Sequence, residues 1–402
     1  MSSHSDSDSN SKPADQGSPG LLIILAAMVA LGPLTIDMYL PAMPGMVDAL
    51  ATNTSRVQLT ISSFLLGFSV FHLACGPLAD RYGRRPVLLA GLALYIAASL
   101  ACASADTIEE LILYRFLQGI AACVGPTLGR AMARDFYGPV RAARALAYIA
   151  MIMALAPAVA PSLGGLMLQF LPWPSIFVAL AVYALVLAIC VGWRLPESLP
   201  AVQPLHPLSI GRNYLSLIAN RDYRLTACAS ASMYAGMVTF LSGSSFVFID
   251  MMQVPTQYFG SLFLTTVAGY ISGSALSTRL ALQRDSVQVM WLGAKLAIFG
   301  SLCMVIAAET WFHPASIIVP MALFAMALGI VLPHSMATAL RPFPHMAGTA
   351  SALFGFVQMG LSSAAGVLVG LMLEDSALPM TMIILACSCI AWWLIKSLQP
   401  TR

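Results

Sequence analysis

Charge is scarce in this chain. Asp, Glu, Lys and Arg make up 9% of its 402 residues, against about a quarter in ordinary soluble domains. With 59% hydrophobic residues and a mean hydropathy of +0.82, this composition excludes a soluble globular protein and points to a polytopic membrane protein. Other absences narrow the class further. MSSHSDSDSNSKPADQGSPG has no apolar core, basic start or small-residue cleavage site, so it is not a signal peptide. Residues 1–20 are expected to form a disordered cytoplasmic tail. The eight cysteines lie in apolar stretches at no metal or disulfide spacing and read as packing residues. HExxH, a nucleophile elbow and a soluble sensor domain are all missing, which argues against a membrane enzyme or receptor. No metal site and no nucleic-acid partner are expected.

What the chain has in abundance is apolar runs of membrane-crossing length. They fall near 21–43, 57–79, 86–105, 109–131, 142–169 and 174–194, then, after a polar linker, near 224–249, 256–279, 287–308, 313–338, 346–373 and 378–396. This predicts an all-α membrane protein of twelve transmembrane helices in two six-helix bundles, 21–194 and 224–396, with a cytoplasmic linker at 195–223 and a cytoplasmic tail at 397–402. All but three of the basic residues (Arg56, Arg115 and Lys295) sit in the tails or the even-numbered loops and their edges. That bias places both termini in the cytoplasm. The linker stretch GRNYLSLIANRDYR reads as an amphipathic surface helix. GLML occurs both at Gly165–Leu168 and at Gly370–Leu373, a faint repeat of the kind a duplicated transporter carries.

Charges inside spans are informative because an Asp at a helix centre costs about 2.5–3.5 kcal/mol on insertion scales. Asp37 and Arg115 each lie about six residues below the outer end of their helix, about 9 Å deep at the helical rise. Equal depth leaves two readings: a static ion pair, or a protonatable carboxyl tuned by burial and a neighbouring guanidinium. Pro33 and Pro41 flank Asp37 at four residues on either side. Gln118, one turn from Arg115, is expected to face the same way, in a cavity wall. Lys295 is close enough to the cytoplasmic end to snorkel, and His72 reads as a packing residue.

GPLADRYGRRP (Gly76–Pro86) joins spans 2 and 3. Gly76 and Gly83 permit a tight turn, while Arg81 and Arg84 are ordinary inside anchors. Asp80 is an acid on a face that needs only bases, and it suggests a latch to Arg134 or to the N-terminal end of span 11. Pro157, Pro161, Gly164 and Gly165 in ALAPAVAPSLGG predict a kinked, closely approachable span 5.

Together these segments resemble the major facilitator superfamily. GPLADRYGRRP resembles its motif A and LILYRFLQGIAA its motif B, with Arg115 as the basic residue. LGPLTIDMYLPAMP resembles the first-span motif of 12-spanner drug/proton antiporters, and ALAPAVAPSLGG stands where they carry motif C. With RAMARDFYG and HMAGTASAL, the set is most similar to the Bcr/CflA (bicyclomycin and chloramphenicol resistance) type. The resemblance implies a monomeric antiporter of a bacterial inner membrane that works by alternating access. It exports small antibiotic-like or metabolite-like organic compounds in exchange for protons, with no cofactor beyond the proton gradient. It assigns proton and substrate handling to Asp37, proton coupling to Arg115, and gating to Asp80, Arg81, Gly83 and Arg84. Tyr234 and Met237 in span 7 are expected to line the drug cavity by helix position. The alternative is a proton symporter importing a nutrient such as a nucleoside. Departures from the pattern are Ala147, Ala156 and Ala160 in place of motif C glycines, GSALSTR (Gly273–Arg279) lacking the acid of a second motif A, and His334 beside Pro333.

Overall fold

The computed structural model describes residues 19–199, 207–311, 313–373 and 376–398. Most of both tails, Pro200 and Pro204 of the linker, and the acidic pair Glu374 and Asp375 lie outside the described residues. Twelve helices long and apolar enough to cross a bilayer follow one another. Spans 1 to 6 are Gly20–Ala49, Thr54–Tyr82, Arg84–Ala103, Ile108–Gly138, Arg144–Met167 and Pro174–Arg194. Spans 7 to 12 are Arg221–Met251, Thr256–Leu280, Ser286–Thr310, Pro314–Leu340, Pro344–Met372 and Leu378–Lys396. Each expected run is met by one helix.

Two spans depart from the expected outline. Span 4 continues well past residue 131 because RAMARDFY contains no helix breaker. The chain turns only at Gly138, whose φ of +65° suits glycine. The expected kink at Pro157 and Pro161 is not a break in helical backbone angles, since Gly138 alone leaves the helical region in this stretch. Span 1, in contrast, is interrupted. Its α-helix ends at Asp37, a 3₁₀ turn follows at Leu40–Ala42 around Pro41, and a short helix resumes at Met43–Ala49.

The same packing recurs in both halves: span 2 against 4 and 8 against 10, span 3 against 6 and 9 against 12, span 1 against 5 and 7 against 11. The halves meet along two seams, span 2 with 11 and span 5 with 8. Lipid tails are as apolar as leucine, so such seams gain from close packing and hydrogen bonds rather than from hydrophobic burial. Along span 11, Gly355, Gly366 and Gly370 bring backbone against His72, Ser62 and Gln58 of span 2. Ser363 Oγ donates to the Ser62 carbonyl at 2.7 Å, and Ser69 Oγ to that of Phe356 at 2.8 Å.

Because twelve spans separate them, both chain ends lie on one face, here called the termini face. Away from it the two halves are tightly joined. Gly165 backs onto the Thr256 carbonyl, Gly260 packs on the Ser162 backbone, and Gln169 donates to Gln257 across the seam. Ser245 Oγ of span 7 reaches Met43 Sδ at 3.8 Å. Toward the termini face the halves are less closely joined at Gly76 and Gly348, where an added side chain would meet nothing within 4 Å. On that side the linker helix Pro207–Ala219 buries Leu217 in an apolar cluster with Tyr223, Leu353 and Phe354, and Tyr214 donates to the Leu73 carbonyl at 2.9 Å.

Candidate functional site

Asp37 is 3% exposed, and no basic group among the described residues comes within ion-pair distance of it. The expected pairing with Arg115 is not formed. Tyr39 explains why: its ring lies 4.8 Å from the Arg115 guanidinium. Two residues along a helix amount to a rotation of about 200°, so a turn that aims Tyr39 at Arg115 aims Asp37 the opposite way. The two charges share a depth but not a direction. Asp37 faces the second half of the molecule, where the Tyr234 hydroxyl of span 7 lies within electrostatic range of it. Behind the acid, Gly164 of span 5 packs on the Met38 carbonyl, so the motif C glycine braces the turn that ends the Asp37 helix.

Arg115 is fully buried inside the first bundle. Phe64 (4.5 Å), Tyr39 (4.8 Å) and Phe177 (5.8 Å) surround its guanidinium. Desolvated cation–π contacts of this type are worth about 2 kcal/mol. Nη1 donates to Gln118 Oε1 at 2.6 Å, and Gln118 Nε2 donates to Ser99 Oγ at 2.8 Å. Nε and Nη2 have no hydrogen-bond partner among the described residues. Gln118 therefore belongs to the Arg115 cage between spans 3 and 4, and its expected place in a cavity wall is corrected. Around this cage, Tyr39 Oη pairs with Thr60 Oγ1 at 2.7 Å and Tyr95 Oη with Thr35 Oγ1 at 2.6 Å, which fixes span 1 to spans 2 and 3.

The face between the halves has different residues. Tyr234 and Met237 are half-buried on span 7, as is Tyr270 on span 8. Tyr234 lies within electrostatic range of Asp37, Tyr270 and Arg130. Arg130 is exposed although it lies within electrostatic range of Tyr234 from the other half. Its Nε donates to the Pro126 carbonyl at 2.9 Å, turning the side chain back toward the middle of the membrane.

At the termini face the loop between spans 2 and 3 is tied to its own bundle. Gly83 adopts φ +95°, and a Cβ there would come 2.7 Å from Glu197 Oε2. That carboxylate, just past span 6, caps span 3 by accepting from the Arg84 and Arg85 amides at 3.0 Å each, and also accepts from Ser198 and Leu199. Partial burial raises the Glu197 pKa, but the four amide bonds outweigh it and hold the group below the ordinary glutamate value. Arg84 pairs with Asp135 at the end of span 4, and Ser198 donates to the same carboxylate at 2.8 Å. Among the described residues Asp80 forms an ion pair only with Arg84, at 4.0 Å, and none with Arg134, so the expected latch to Arg134 is not formed. Arg81 and Arg134 are exposed.

The sequence profile of the Major Facilitator Superfamily matches residues 25–367. The chain belongs to this superfamily. An uncharacterized MFS-type transporter, YdgK, of Bacillus subtilis (strain 168) is 33% identical over 90% of each chain. A chloramphenicol resistance protein of Pseudomonas aeruginosa is 30% identical, covering 92% of this chain and 90% of its own length. A bicyclomycin resistance protein homolog of Haemophilus influenzae is 28% identical over 94% and 96%. Among solved structures, a mutant form of the nucleoside transporter NupG superposes with a TM-score of 0.76 at 12% identity, over 94% and 98%. That likeness shows the fold alone. The protein is thus a multi-pass membrane transporter with a small-molecule substrate.

Several residues that shape the site escaped the sequence reading. Arg130 was absorbed into the count of inside-facing bases. Asp135 stood within RAMARDFYG with no role given to it, and Glu197 fell in a polar edge with no periodicity to single it out. Lys295 behaves as expected of a snorkelling lysine, exposed, with its ammonium 4.5 Å from the Trp291 ring one turn nearer the termini face. His72 is wedged at the seam, with Nδ1 3.6 Å from Cys123 Sγ and the Phe68 ring 5.6 Å away, as a packing residue would be. His334 Nδ1 lies 3.2 Å from Ser286 Oγ.

Proposed function

We propose that this superfamily member is a proton-driven exporter of small amphipathic organic molecules, working as a monomer in the inner membrane of a bacterium. The observation that carries the reading is Asp37, a carboxyl buried at the junction of the halves with no basic group within ion-pair distance among the described residues, beside a vestibule that the reading places between spans 4 and 7. A carboxyl so placed can exchange a proton as hydration reaches it from one side of the membrane and then the other, so its proton is bound and lost as access alternates. The resistance-protein relatives support organic drugs or metabolites as cargo. The basic residues clustered at the termini face support a cytoplasmic location for that face. The energy comes from the proton gradient, with no cofactor and no catalysed reaction. Arg115 acts on this cycle from inside the first bundle, through its contact with Tyr39 on the turn that follows Asp37, and Asp80, Arg81, Gly83, Arg84 and Arg134 form the gate.

The test is Asp37→Asn in everted vesicles from a susceptible strain, after resistance profiling against a panel that includes chloramphenicol and bicyclomycin. The variant is expected to reach the membrane folded and to lose substrate-dependent proton movement. Wild-type proton coupling in Asp37→Asn, or net uptake in place of export, would refute the assignment.

A further inference from the structure

Arg130 and Arg134 stand four residues apart on span 4, toward the termini face, and are both exposed. Like charges at that spacing repel. Among the described residues neither has a carboxylate within ion-pair distance, because Asp135 is engaged by Arg84 and Glu197 by the loop amides. Arg130 is the deeper of the two. Its guanidinium folds back over Pro126, which packs beside Gly32 of span 1, and Tyr234 of the other half, itself within electrostatic range of Tyr270, lies within electrostatic range of it. An exposed cation held within membrane depth by a single carbonyl bond leaves most of its planar donor fork free. Guanidinium forks match carboxylates and similar paired acceptors in two parallel hydrogen bonds.

We propose that Arg130 is a substrate-binding residue that selects amphipathic molecules carrying an anionic group, with Arg134 as the first point of electrostatic attraction at the mouth and Tyr234 and Tyr270 as the facing aromatic wall. This rests on the transporter reading above and names the substrate class of the same vestibule. Asp37 lies deeper and on the same bundle, so the two charges divide the work. Arg130 receives the anion, while Asp37 is left free to exchange its proton without being the substrate's counter-ion.

The experiment uses the purified full chain in detergent and three probes of matched shape: 1-naphthaleneacetate, its neutral amide, and 1-naphthylmethylammonium. Binding is measured directly by equilibrium dialysis, which does not depend on the direction of transport. Wild type is expected to bind the anion about tenfold or more tightly than the amide, the scale of one charge-assisted contact. In Arg130→Gln the anion-to-amide ratio is expected to collapse to near one, whereas Arg130→Lys retains part of it. Size-exclusion profiles and thermal midpoints establish that both variants are folded. An equal affinity for anion and amide in wild type, absence of anion binding, tighter binding of the cation, or a ratio that survives Arg130→Gln overturns the proposal. If the ratio behaves as expected while vesicles show no export, the binding assignment stands and only the direction of transport is wrong.

Discussion

Gly165→Ala isolates the far-face closure from everything else in the molecule. A Cβ at Gly165 would lie 2.5 Å from the Thr256 carbonyl oxygen, whereas ordinary contact begins at 3.4 Å. Spans 5 and 8 must therefore separate by about 0.9 Å, because a backbone carbonyl cannot rotate aside as a flexible side chain can. Overpacking of this kind costs about 1–3 kcal/mol. The cost is confined to the state in which the two helices touch. Alanine also improves on glycine within a helix by about 0.5–1 kcal/mol, but that gain accrues equally in both access states and cancels from their ratio. The equilibrium constant favouring far-face closure is expected to fall by about five- to 150-fold. The readout is the cross-linking rate of Gln169→Cys with Gln257→Cys in a cysteine-depleted background, since these side chains hydrogen bond across the seam. Gly165→Ala is expected to slow it fivefold or more. Gly192→Ala, where an added methyl meets nothing within 4 Å, is the control and leaves the rate unchanged. Undiminished cross-linking in a folded Gly165→Ala protein would sink the argument that this contact holds the far face shut.

Two further perturbations test the first bundle. Gln118→Leu removes the acceptor of Arg115 Nη1 and leaves a buried cation with no hydrogen bond from its terminal nitrogens. Losing a hydrogen bond to a charged group costs about 1.5–3 kcal/mol, so the thermal midpoint in detergent is expected to drop, and an unchanged midpoint would mean that the aromatic cage alone holds Arg115. For Glu197, whose pKa is held down by amide bonds, the sign is that of a depressed carboxylate: its contribution to stability is present above its unfolded value of about 4.5 and is lost as pH falls through the lower folded value. Wild type is expected to lose thermal stability in that acid window more steeply than Glu197→Gln, and parallel pH profiles would show that the cap contributes nothing measurable.

Much of the fold was legible because its signal is long-range and redundant. A bilayer imposes about twenty apolar residues per helix, so each span announces itself, and the resemblance of the two halves needed only one repeated tetrapeptide as a hint. Helix ends were less legible where helix propensity outlasts hydropathy, as in RAMARDFY, which keeps span 4 going until Gly138. Motif residues were placed by their neighbours in ways that spacing does not encode. Gly165 seals the two halves together, while Gly164, the next residue, stays within its own bundle and packs behind Asp37. Neither Asp135, quoted only within RAMARDFYG, nor Glu197 reveals its partner by spacing, and they matter because the fold brings two distant loop edges to Gly83, Arg84 and Arg85.

The pairing of Asp37 with Arg115 failed for a reason that bears on mechanism. Depth along a membrane normal can be counted from sequence, but azimuth cannot be fixed until one neighbour on the same helix is placed. Tyr39 is that neighbour: its ring against Arg115 and its hydroxyl on Thr60 pin one side of the span 1 turn to the bundle interior. On the other side Gly164 presses on the Met38 carbonyl. Asp37 projects from the same turn toward Tyr234. Arg115 is caged away from the acid, so the coupling role proposed for it has to run through Tyr39 and the backbone between residues 37 and 39. A shift of Tyr39 over the guanidinium rotates that turn and with it the carboxyl, while Gly164 ties the same turn to span 5, the helix whose next residue forms the far-face seal. In the proposed cycle, proton binding at Asp37 and closure of the far face thus act on one short stretch of span 1, and that stretch has to move as access alternates.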